Sequence, residues 1–94
     1  MIIVAGRLYV RAERREAFLA ASAVAVKAAR RSAGCLDFVV AADPIEPDRV
    51  NIYERWDTEA SLMAFRGEGP SSELTSEILR ADVERHYVSS SGPP

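Results

Sequence analysis

Residues 49–65, RVNIYERWDTEASLMAF, change periodicity halfway along. The first half alternates, with Val50, Ile52, Glu54 and Trp56 on one face and Asn51, Tyr53, Arg55 and Asp57 on the other, as a strand does. β-branched and aromatic residues dominate its middle. Asp57-Thr58 then signals a helix start. Thr58 can cap with its hydroxyl, Glu59 sits near the positive end of the helix dipole, and Leu62 and Phe65, with Ala64 nearby, supply an apolar face. A strand that runs straight into a helix after a Trp sets large aromatics at a strand–helix corner, where clefts form.

The segments on either side supply the rest of one small domain. Residues 2–10, IIVAGRLYV, read as a strand that is apolar on both faces, Ile3, Ala5 and Tyr9 against Val4, Leu8 and Val10. Gly6 interrupts it and marks a close approach, by a neighbouring side chain or by a ligand. Residues 12–33 form the longest helix candidate, alanine-rich, with an expected inward stripe of Phe18, Ala21, Ala25 and Ala28 and Val24 beside it. Arg30 and Arg31 suit the negative end of its dipole, and Gly34 is the stop. Residues 35–42, CLDFVVAA, are a second strand, joined to the 49–56 strand through the proline-bearing turn 43–48. Residues 66–70 form a breaker cluster. Ser71 or Ser72 then caps a short helix through residue 79, with Leu74, Ile78 and Leu79 inward. Glycines 67 and 69 do not make a phosphate loop, because no Lys-Ser/Thr follows. Residues 81–88 alternate as a last strand. The domain is expected to span residues 1–89, with a disordered tail at 90–94.

Composition narrows the class. The chain has 94 residues, 48% apolar, with a net charge of -2, enough for a single core. Its basic residues are dispersed, which argues against a nucleic-acid partner. No apolar run approaches the roughly 20 residues of a membrane span. The N-terminal MIIVA lacks the charged region of a signal peptide. Cys35 is the single cysteine; it has no neighbour in sequence to activate it, and no Cys/His group has metal spacing. The expectation is a cytoplasmic domain without metal or cofactor.

The element order β-α-β-β-α-(α)-β predicts an α+β, ferredoxin-like βαββαβ fold, an antiparallel four-stranded sheet with helices on one face. The other face, carrying Ile3, Ala5 and Tyr9, would be left bare. That apolar surface exceeds what a monomer tolerates, so a sheet-to-sheet homodimer is expected.

Gly34-Cys35-Leu36 opening a strand, Asp43-Pro44, and YERW at 53–56 before a Thr-capped helix with Ala60 together resemble the antibiotic biosynthesis monooxygenase family over nearly the whole chain. The resemblance implies a dimeric α+β barrel with a pocket between each sheet and its helices. It also implies either oxidation of phenolic or quinol-like aromatics by O2 without a cofactor, or haem degradation. The haem-degrading branch carries Asn, Trp and His where this chain has Gly6, Phe65 and Thr75. The anthrone-oxidising branch keeps a Trp at the position of Trp56, but its Asn, Tyr and Arg fall at Ile52, Leu62 and Thr75. The implied function is therefore a cofactor-independent monooxygenase acting on a phenolic, anthrone- or quinol-type aromatic. The alternative is a non-catalytic small-molecule binding or dimerisation module of the same fold.

Parity sharpens the site. Glu54 shares the Trp56 face, so it is the candidate general base, with Trp56 stacking the substrate ring. Gly6, Leu62 and Phe65 are the candidate substrate-binding wall. The structural alternatives are a Glu54 paired with Arg7 or Arg85 and a Trp56 that is an ordinary core aromatic. His86 is the only histidine and the only side chain with an ordinary pKa near neutrality; it reads more readily as a surface or interface residue.

Overall fold

The computed structural model describes residues 1–67 and 72–94. Eight-residue strands β1 (Ile2–Tyr9), β2 (Cys35–Ala42), β3 (Arg49–Trp56) and β4 (Arg80–Tyr87) form one sheet in the order β2-β3-β1-β4. All three pairings are antiparallel. Helices α1 (Arg15–Arg31), α2 (Glu59–Arg66) and the short α3 (Ser72–Ser76) complete the ferredoxin-like α+β plan. The breaker residues Glu68, Gly69 and Pro70, and a side-chain cap at Ser71 or Ser72, lie outside the described residues.

Register decides which residues meet the helices. Across β2-β3-β1-β4, one face carries the rows Cys35–Trp56–Ile2–Tyr87, Phe38–Glu54–Val4–Arg85 and Val40–Ile52–Gly6–Val83. Ile2, Val4, Phe38 and Trp56 from this face pack with Ala29 of α1 and Leu62 of α2 in one core cluster. A second cluster gathers Val10, Phe18 and Val50, with Leu74 of α3 and Ile78 packed against it. On the opposite face, with Ile3, Ala5, Arg7 and Tyr9 of β1, no helix packs among the described residues. A bulge between Cys35 and Asp37 lets β2 keep Cys35 and Phe38 on the same side and leaves Leu36 exposed.

Two helix expectations change. The segment from residue 12 opens as a 3-10 turn, Ala12–Arg14, before α1 begins. The buried stripe is Phe18, Ser22 and Ala29, whereas Ala21 and Ala28 face solvent and Val24 is 74% exposed. The apolar stripe is thus turned by one position from the expected one. Ser22 tolerates burial because its hydroxyl donates to the Phe18 carbonyl at 2.8 Å. At the other end of the fold Leu79, expected inward, is 65% exposed; its N–H donates to the Tyr9 carbonyl at 2.8 Å and leads into β4.

Candidate active site

The site grows from the β3–α2 corner. Thr58 caps α2 by accepting the Ser61 N–H at 3.2 Å, which fixes the angle at which Leu62 and Phe65 descend on the sheet. Gly34, at φ +83°, lets the chain leaving α1 pass close to this corner; a Cβ there would lie 2.3 Å from Asp57 Oδ1. Under α2, Trp56 is fully buried, with Phe65 tilted against it at 5.5 Å between centroids and Phe38 edge-on at 6.5 Å. Phe38 and Phe65 also meet, at 5.7 Å. Three aromatics in mutual contact make an apolar, rigid wall.

Glu54 is set into that wall. It is 7% exposed, and its Oε1 accepts the indole Nε1–H of Trp56 at 3.0 Å. Its Oε2 faces Arg66 Nη2, at the end of α2, at 3.8 Å. Burial pushes the Glu54 carboxyl above its ordinary range, and the Trp56 hydrogen bond and the charges of Arg66 and Arg85 only partly offset this. The result is a desolvated carboxylate with one oxygen fixed and the other beside a cation. A carboxylate with a raised pKa is a stronger base than an exposed one, which suits it to accept a proton.

The sequence-derived residues are placed as follows. Glu54, Trp56, Leu62 and Phe65 come together, and Leu62 is fully buried. Trp56, being wholly covered, offers no free face for a substrate ring, so its chemical handle is the N–H that it gives to Glu54. Gly6 stands one row away from Glu54, and its missing side chain is replaced by the backbone of β4. A Cβ there would lie 2.0 Å from the Asp82 carbonyl oxygen and 2.7 Å from the Val83 Cα. The gap therefore serves the strand-to-strand approach. Neither expected arginine pairs with Glu54: Arg7 binds Asp82 at 3.2 Å on the open face, and Arg85 binds Glu59 at 3.1 Å. Arg66 stands there instead. Its signal in the sequence is its place four residues after the inward Leu62, on the same helix face.

Cys35 pairs with Trp56 at the β2 end of its row. Burial, then the charges of Glu54 and Asp37, raise its thiol pKa, which suits a packed and unreactive thiol. Arg30, in the last turn of α1, donates from Nε to the Phe38 carbonyl at 2.8 Å and ties α1 to β2. His86 lies exposed on the open face, opposite Ile3 of β1. Among the described residues no group of three His, Cys, Asp or Glu side chains could hold a metal ion, and no helix is long and apolar enough to cross a membrane.

Glu54 and Trp56 thus lie on the helix-covered face of a ferredoxin-like sheet. The profile of the antibiotic biosynthesis monooxygenase family matches residues 1–73, and the chain belongs to that family. Solved structures agree on the fold. A candidate antibiotic biosynthesis monooxygenase from Deinococcus radiodurans superposes with a TM-score of 0.81 at 19% identity, over 100% of this chain and 98% of that one. A similarly described protein from Nitrosomonas europaea gives 0.80 at 15% identity, over 96% and 100%. One from Chloroflexus aurantiacus gives 0.75 at 25% identity, over 97% and 96%. No protein of curated function matches the chain significantly.

Proposed function

We propose that this protein is a cofactor-independent monooxygenase that oxidises a phenolic, anthrone- or quinol-type aromatic with O2, with Glu54 as general base and Trp56 as the residue that positions it. The observation that carries the reading is the buried Glu54 carboxylate held by the Trp56 N–H within a fold of this family. For an anthrone the balance is simple: the ring CH2 and O2 become a ring C=O and water. Glu54 removes one C–H proton, and the resulting carbanion gives its electrons to O2 and forms a C–O bond. The proton returns to the distal oxygen as a hydroperoxide forms. Removal of the second C–H proton then expels hydroxide, which leaves as water. No group other than the substrate needs to hold electrons, so the tasks left to the protein are a base, a dry wall and a fixed geometry.

The active species in this reading is a homodimer closed over the open sheet face. The apolar residues Ile3, Ala5 and Tyr9 on that face support this. The single cysteine, which is free, agrees with a reducing cytoplasmic setting.

Oxygen uptake with anthrone and with a hydroquinone tests the assignment. Glu54→Gln keeps an acceptor for the Trp56 N–H but removes the base, and is expected to lower the rate by about a hundredfold or more. Trp56→Phe removes the donor and is expected to lower kcat more than it alters KM. Full activity in Glu54→Gln would overturn the assignment. Binding of the aromatic without oxygen uptake by the wild type would make the protein a binding module.

A further inference from the structure

We propose that Arg66 is the anion-holding residue of this site: its guanidinium neutralises Glu54 at rest and passes to the substrate oxyanion when Glu54 takes the proton. This rests on the reading of Glu54 as the base.

The geometry assigns each oxygen of Glu54 one partner. Oε1 is fixed by the Trp56 N–H at 3.0 Å, whereas Oε2 meets Arg66 only at 3.8 Å, beyond hydrogen-bond length. The other arginine–carboxylate pairs among the described residues are closer, from Arg14–Glu77 at 2.8 Å to Arg49–Asp43 at 3.5 Å. Arg66 is thus paired by charge without being locked by geometry. Among the described residues Glu54 is its only charged partner, and its side chain is 41% exposed while that of Glu54 is 9% exposed. It directly follows Phe65 at the end of α2, so a partly exposed cation stands beside the buried carboxylate.

Charge conservation supplies the rest. Before proton transfer the buried site holds one negative charge, on Glu54, and one positive charge, on Arg66. After transfer Glu54 is neutral and the negative charge lies on the substrate's oxygen, with no bond to any heavy atom yet changed. The guanidinium, which loses its attraction to the neutral Glu54, gains an equivalent charge-assisted contact with the oxyanion.

Alizarin is a suitable probe, because its phenolate and phenol forms differ in colour and its quinone ring is already oxidised. Absorbance titration of alizarin bound to the intact protein is expected to show the phenolate favoured by the wild type. Arg66→Met is expected to weaken binding of the phenolate by about tenfold or more while sparing the neutral form, and Arg66→Lys to recover part of the loss. Arg66→Gln repeats the measurement should the methionine variant fold poorly. Equal loss of both forms, an unchanged phenolate preference in Arg66→Met, or no binding of alizarin by the wild type would each overturn the proposal. Failure of the base assignment shows instead in the oxygen uptake of Glu54→Gln, which the colour of alizarin does not report.

Discussion

Glu54 carries a stability signature as well as a chemical one. Its carboxyl pKa is raised in the fold, chiefly by burial. Folding therefore favours the protonated form; that contribution is full below the ordinary carboxylate value and is lost as pH rises through the folded value. Glu54→Gln should consequently be more stable than the wild type at about pH 8, and the difference should shrink toward about pH 4. Thermal unfolding at several pH values checks this, and a gap independent of pH would show that Glu54 does not titrate as described. Gly6 offers a second test at this scale. At φ +151°, with β4 backbone atoms where a Cβ would stand, Gly6→Ala is expected to cost on the order of 2–4 kcal/mol in urea unfolding. A variant as stable as the wild type would mean that β1 and β4 can separate without cost. In the sequence Gly6 is visible only as an interruption; which atoms fill its place depends on the pairing of residues 6 and 83, far apart along the chain.

At the scale of elements, the β2–β3 connection is held by a polar network in which Asp43, Arg15 and Arg49 take part. Asp43 Oδ2 accepts the N–H groups of Ile45 at 3.0 Å and Glu46 at 2.8 Å, and Oδ1 accepts from Asn51 Nδ2 at 2.9 Å. Arg15 Nη1, from the first residue of α1, reaches the carbonyls of Asp43, Glu46 and Arg49. The Glu46 N–H above all, with Asn51 and Ile45, holds the Asp43 pKa down to about 2. A lowered pKa gives stability that is full above the ordinary aspartate value and is lost as pH falls through the folded one. Asp43→Asn is therefore expected to be less stable than the wild type at neutral pH, with the difference closing as pH falls toward 2. Denaturation curves at acid and neutral pH decide it, and a gap that persists in acid would remove Asp43 from the role. The turn itself was legible from Asp43-Pro44 and Pro47-Asp48. The rotation of α1 was not, because a helix of alanines has too little side-chain contrast to say which narrow stripe faces the sheet. Leu62 and Phe65 were legible because α2 has only a few large residues to bury.

For the whole molecule, the split between a helix-covered and an open sheet face is the feature with most consequence. Alternation along β1 and β3 revealed both faces and placed Glu54 with Trp56, since parity survives any later packing. The partner of Glu54 was hidden, because the reach of an arginine from a helix to a strand depends on how closely the two elements dock. The open face carries Ile3, Ala5 and Tyr9 beside Val39, Ala41 and Tyr53. Light scattering at micromolar concentration is expected to give twice the chain mass. A monomer mass would mean that this face tolerates water, and the homodimer would be withdrawn.

Trp56 is the protein's single tryptophan, and its N–H rests on the carboxylate assigned as the base. All of the protein's indole emission therefore originates 3.0 Å from the group whose charge matters most. Each change at Glu54, whether a proton gained, a cation withdrawn or an aromatic seated nearby, alters the field on that one chromophore. The site thus contains its own optical gauge, readable in the unlabelled protein.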